Sequence, residues 1–306
     1  MKTVNLQIPK IRLAGICGLF LAWTACSNEA VVDDPSGEGI PVTIRAEINT
    51  SGDETRADAA TVDPANEYDR SSFVKGDVIR VARTVVNPDF KDYILGEDGK
   101  TWSVQGGTQL SLRIGANYGA TYPSTYSSIA SNQTTKDDYL ASNLLKTPVG
   151  TSSSGELAFT GSNAFVHQNT KITLEFSGDG GNATLAMDKF SDFTISATGL
   201  RTGASATEQM TFYRPSNQAA IWHGIVYPNK NSTVQSSVNT VISLVLKYDN
   251  VKYSADINCP MIAGKHYNYS LKIRNDVLVP DGMTIDKWTD NDVRTGDFDP
   301  TTPSDI

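Results

Sequence analysis

Few residues in this chain are placed to do chemistry. Histidine occurs three times, at His167, His223 and His266, with no two at a metal-ligand spacing. No H-E-x-x-H, Cys/His zinc pattern, phosphate-binding glycine loop or G-x-S-x-G elbow is present. His223 beside Trp222 and His266 beside Tyr267 read as ordinary strand residues. Acidic residues cluster at Asp137-Asp138 and at Asp290, Asp292, Asp297 and Asp299, but neither group has the spacing of a calcium loop. They read as solvated loops. The expectation is a chain that is not an enzyme and carries no cofactor and no metal.

Cys26 is the exception, because of what precedes it. Lys2, Lys10 and Arg12 lead into the apolar run 13–23, and the small residues Thr24-Ala25 follow. A basic region, a short apolar core and a small-residue cleavage site make residues 1–25 a signal peptide. The apolar run is too short to cross a bilayer, which takes about 20 residues. A cysteine directly after the cut resembles a bacterial lipobox, whose thiol is diacylated; Trp23 departs from the usual leucine. Cys17 leaves with the signal and Cys26 takes lipid, so Cys259 alone remains in the body and no internal disulfide can form. Removing 1–25 shifts the formal charge from −8 to −11, which repels phosphate backbones and excludes nucleic acid as a partner.

The elements that must carry these residues are strands. The chain has 28 Ser and 31 Thr among Val, Ile and Tyr runs, a mixture suited to sheets with one wet face. After a polar tether over 26–39, Ile40, Val42, Ile44, Ala46 and Ile48 alternate onto one face and predict a strand over 40–48. Residues 49–72 are polar and aperiodic, a long exposed loop. Strands are predicted at 78–86, 91–95, 101–104, 109–114 and 118–122, then a short helix at 137–145. More strands follow at 157–159, 163–167, 171–177, 183–187, 193–198, 209–214, 219–227, 238–248, 251–257 and 267–273. Many short strands with no long helices between them predict an all-β chain of two stacked antiparallel sandwiches. Their expected extents are 40–165 and 166–288, with a polar tail over 289–306.

An ordered set of short signatures resembles the fimbrillin family, the type V pilin subunits of Bacteroidales. It includes Cys26, Thr55-Arg56-Ala57, Phe73-x-x-Gly76-Asp77, Tyr118-Gly-Ala-Thr-Tyr122-Pro123 and Asp138-Tyr139-Leu140-Ala141. Phe165-x-His167, Ala263-Gly264-Lys265-x-Tyr267-x-Tyr269 and Ile285-x-x-Trp288 complete it. The resemblance implies two tandem transthyretin-like sandwiches and export as a lipoprotein to the cell outer membrane. It also implies processing by an arginine-specific protease and assembly into a surface fimbrium with other pilin subunits. Arg56, in a polar loop and followed by Ala57, is the expected cleavage point, ahead of Arg45 and Arg70; such loops are where proteases act. The cut frees the strand at 40–48, and β-strand addition from a neighbour refills its place. In the family the donor is a carboxy-terminal segment. Here the tail offers only Val293, Phe298 and Ile306 as large apolar residues, which favours an accessory or tip role. The alternative is a permanently tethered outer-membrane lipoprotein that binds glycans or host ligands.

Overall fold

The computed structural model describes residues 42–49, 72–84, 89–110, 112, 116–148, 150–151, 155–178, 185–203, 205–215, 220–229, 240–274 and 277–287. All lie in one compact unit, Ser36–Ile306. The strands in chain order are β1 (Thr43–Ala46), β2 (Val78–Arg83), β3 (Phe90–Leu95), β4 (Trp102–Val104), β5 (Asn117–Tyr122), β6 (Leu145–Lys146), β7 (Gly150–Thr151), β8 (Glu156–Phe159) and β9 (Val166–His167). Then come β10 (Thr170–Gly178), β11 (Phe190–Thr198), β12 (Thr207–Met210), β13 (Ile221–Val226), β14 (Thr240–Tyr248), β15 (Val251–Cys259), β16 (Lys265–Arg274) and β17 (Val277–Lys287). A single α-helix, α1 (Lys136–Ala141), is described among them.

The fold is all-β, in two stacked sandwiches. The first has a broad antiparallel layer in the order β4-β3-β2-β5-β6-β9, with β7 also on β5. Its second layer is narrow: β1 and β8, side by side and parallel. Strand alternation fills the space between them. Ile79, Val81, Tyr93, Leu95, Tyr118 and Ala120 point in from the broad layer, and Val42, Ile44, Leu157 and Phe159 from the narrow one. Phe73 seals one end, its ring edge-on to Trp102, Tyr122 and Phe165.

The second sandwich stacks two four-stranded layers, β13-β10-β16-β17 and β12-β11-β14-β15. Apart from the parallel pair β10–β16, every neighbour is antiparallel. Ile172, Leu174, Trp222, Tyr267 and Leu271 meet Ile195, Met210, Ile242, Leu244 and Ile257 in its core. The β14–β15 hairpin turns on Asp249 and Asn250, both at positive φ (52° and 63°). Asp and Asn tolerate that conformation, and it matches the strand twist. At Gly224 the chain passes so close beneath Phe212 that a Cβ would sit 2.0 Å from the ring.

Residues 129–143 tie the sandwiches together. Ile129 belongs to the second core, and Asn132 bridges Thr211 in parallel. Gln133 then uses its side chain as a strand rung: its amide nitrogen donates to Ile225 O (2.8 Å) and its oxygen accepts from Ile225 N (2.9 Å).

Several local expectations need correction, among them the strand over 183–187, where Leu185 and Ala186 lie in no strand and Met187 opens a tight 3₁₀ turn. The helix expected over 137–145 spans Lys136–Ala141. Thr135 caps it through Asp138 N, and it stops where the Ser142 hydroxyl turns back onto Asp138 O. In the region expected as a strand over 109–114, Leu110 and Leu112 are buried but Leu110 lies in no strand. Its N–H goes to the Tyr93 hydroxyl (3.1 Å), so a side chain replaces the ladder. Within 163–167, Val166–His167 alone forms a strand, after the tight turn Gly161–Asn163. The eleven-residue β17 is another: no element is expected after 267–273, and this strand carries Pro280 and Gly282. β17 lies at a sheet edge, and Pro280 follows the register shift after Ser270, both settings in which a strand tolerates proline.

Candidate functional site

Of the strand expected over 40–48, Thr43–Ala46 forms β1 and Ile48 adds an isolated bridge to Phe165; among the described residues the segment pairs along one edge. Thr43 N donates to Gly155 O and Glu47 N to Phe159 O, both at 3.0 Å, and the pairing runs on through Asn49 N to Phe165 O (2.7 Å). Among the described residues β1 has this one strand partner. In a parallel pair the backbone groups of alternate residues face one neighbour. Those of Ile44 and Ala46 therefore face away from β8. On that side Val42 N reaches the Gln109 side chain (2.9 Å).

The side chains of β1 are much less free than its edge. Val42, Ile44 and Ile48 are 6%, 2% and 7% exposed, and Ala46 packs half-buried beside them. Burying the first three contributes about 4.5–9 kcal/mol as an upper estimate. Arg45, on the solvent side, pairs with Glu156 across the β1–β8 boundary, an exposed contact of little weight. Thus β1 combines a large apolar contribution with a ladder on one side. Ile40, the lipidation candidate Cys26, and the processing pair Arg56-Ala57 lie outside the described residues.

The structure also assembles something the sequence left scattered. All three histidines reach one buried site where the two sandwiches meet. His223 on β13 and His266 on β16 flank Thr173 on β10. The Thr173 hydroxyl lies 2.8 Å from His223 Nδ1 and 2.7 Å from His266 Nε2. It can donate to one neutral ring while accepting from the other. Lys171 lies on the same face of β10, paired in register with His266. His167 packs nearby with its Nδ1 3.0 Å from Asn143 Oδ1. Tyr139, stacked on Tyr213 at 5.5 Å, covers His223.

Burial, reinforced by the Lys171 charge, pushes all three imidazoles down. His167 falls to about 3, and His223 and His266 lie well below the ordinary histidine value. Neutral imidazoles joined by a hydroxyl could resemble a relay, but Thr173, His223 and His266 are 5%, 1% and 2% exposed, so no substrate reaches them. A buried ammonium beside them opposes a cation. Among the described residues no group of three His, Cys, Asp or Glu is arranged to hold a metal. The cluster is therefore a structural junction.

The remaining candidates have plain structural roles. Asp137 and Asp138 occupy the first turn of α1, where Asp138 takes a 2.6 Å hydrogen bond from Thr135. Cys259 is buried, with its thiol pushed up to about 11, mainly by burial. Among the described residues no helix is long and apolar enough to cross a membrane.

Comparison with known proteins agrees with this architecture. A cell adhesion candidate from Bacteroides ovatus superimposes with a TM-score of 0.56 at 18% identity, covering 81% of this chain and 97% of its own. Another from Bacteroides uniformis gives a TM-score of 0.50 at 13% identity, covering 71% of this chain and 94% of its own. At these identities the likeness establishes the fold. No curated protein sequence matches. The model of the fimbrillin-like family matches residues 114–288, more than half of the chain, running from the broad layer of the first sandwich to the end of β17. The chain belongs to the fimbrillin-like family.

Proposed function

We propose that this chain is a pilus or adhesin subunit, exported as a lipoprotein and activated at the cell surface by release of its first strand. The observation that carries this reading is the segment 42–48 around β1, paired along one edge among the described residues yet supplying three buried side chains. Lipidation at Cys26 holds the precursor in the outer membrane. An arginine-specific protease then cuts between Arg56 and Ala57. With β1 gone, β8 is the one described strand left in the narrow layer, its ladder unpaired on that side and the core beneath 42–48 uncovered. About 4.5–9 kcal/mol of lost burial is comparable to the whole stability of a typical domain, about 5–15 kcal/mol, so an extended strand from a neighbouring subunit is strongly favoured to dock there. The polar tail after Trp288 is a poor donor, so this subunit receives a strand and passes none on, in an accessory or tip position.

Limited digestion of the full chain by an arginine-specific protease tests the reading. The expected product begins at Ala57, loses the β1 peptide and takes up an added synthetic peptide of residues 40–48; Arg56→Ala keeps its own strand and takes up none. A product that retains β1, or an Arg56→Ala chain processed at the same rate, overturns it. Deleting 289–306 should leave incorporation into fibres intact, whereas its loss would assign a stalk role.

A further inference from the structure

The outward face of the first sandwich carries a cleft of about 240 Å³ that its folding does not explain. Arg80 on β2, Thr121 on β5 and Lys146 on β6 cross its floor as a single rung, because the registers pair Arg80 with Thr121 and Thr121 with Lys146. Adjacent strands lie about 4.8 Å apart, so the two cationic residues leave the sheet about 10 Å apart with a hydroxyl between them. Ser124 and Tyr126 add polar atoms from the turn after β5, and Pro123 and Leu144 form apolar wall.

Arg80 is already held in position. Its Nε and Nη2 bond Asp92 at 2.8 and 2.9 Å, and its guanidinium lies 4.5 Å over the Phe90 ring. Asp92 engages two of the five guanidinium N–H groups, and a side chain fixed in advance gives up little freedom on binding. The side chains of Thr121, Ser124, Tyr126 and Lys146 make no hydrogen bond or ion pair among the described residues. Two cations against the single carboxylate of Asp92 leave the cleft positive, on a chain whose formal charge is −8.

We propose that this cleft binds a carboxylate-bearing sugar unit of an acidic glycan. The carboxylate sits between Arg80 and Lys146, the ring hydroxyls meet Thr121, Ser124 and Tyr126, and the ring lies against Pro123 and Leu144. The volume is below the roughly 300–1,000 Å³ of pockets for drug-sized ligands, which suits one ring and not an oligosaccharide. This site needs no strand exchange, so the unprocessed monomer tests it separately from assembly.

The full chain, isotope-labelled and monomeric, is titrated with glucuronate and N-acetylneuraminate, with glucose, acetate and inorganic phosphate as comparisons. Saturable amide shifts confined to 79–81, 121–126 and 144–146 are expected with one or both acidic sugars. Affinity for glucose should be at least tenfold weaker. Lys146→Gln, an exposed change that leaves the melting temperature unaltered, should weaken acidic-sugar binding about tenfold or more. The site assignment is overturned if no shifts saturate, if they fall elsewhere, or if Lys146→Gln binds unchanged. Equal binding of glucose removes the role of charge. Equal binding of acetate or phosphate reduces the cleft to a simple anion site and overturns the sugar assignment.

Discussion

The two sandwiches use the same strand alternation but close their cores differently. In the second, each layer has four strands, and the core is shared among long elements such as β10, β14 and β16. In the first, among the described residues, a layer of seven strands faces a layer of two, and one of those two is the first described strand of the chain. Removing one strand from the second sandwich would leave three in its layer. Removing β1 from the first leaves one. Stability in this molecule is therefore concentrated in one half and conditional in the other.

The largest test of that contrast is deletion of residues 1–49. It should strip about 4.5–9 kcal/mol from the first sandwich while β10–β17 keep their amide-exchange protection. Equal loss in both halves would show one cooperative unit and end the distinction.

Acid comes next. The three histidines have folded-state pKa values below their unfolded ones, so the stability they permit is present above about pH 6.5 and is lost as pH falls, for His167 down to about 3. Each neutral imidazole costs up to about 1.4 kcal/mol per pH unit in that window. The groups facing the cluster are Lys171, Thr173, Tyr139 and Tyr213. Urea midpoints at pH 7.5, 6 and 5 should fall steeply, with exchange rising first in 129–143. A flat profile would remove the junction from the picture.

In the second sandwich, Gly224→Ala drives a Cβ into Phe212 and should cost about 1–3 kcal/mol. Adding Phe212→Leu should recover part of this, read by denaturant midpoint, whereas no recovery would locate the strain elsewhere. The smallest effect is at Arg80–Asp92, whose side chains are 38% and 23% exposed. Asp92→Asn should cost about 1 kcal/mol or less by thermal melt, confirming that the broad layer is held by its core.

The sandwich class and the buried face of 42–48 were legible because alternation is local and Val42, Ile44 and Ile48 follow it. The hairpin at Asp249-Asn250 has the same local origin, since turn chemistry resides in two adjacent residues. What escaped depended on distant neighbours. Lys171 and Thr173 alternate with Ile172 and Leu174, so β10 displayed a polar side in its sequence. Nothing nearby said that 129–143 would bury it and bring His167, His223 and His266 together. β17 has no clean alternation of its own, since Pro280, Asp281 and Gly282 interrupt it, and its place at a sheet edge accommodates them. The candidate site divides similarly: β1 could be read from its own residues, while the rung of Arg80, Thr121 and Lys146 requires the register of three strands.

Gln133 adds a mechanical consequence. Its two hydrogen bonds to Ile225, with the Asn132–Thr211 bridge beside them, fasten a loop leaving the first sandwich onto the second. Tension applied to the first sandwich would pull against several of these bonds at once, so the load reaches the second body before the linker peels away.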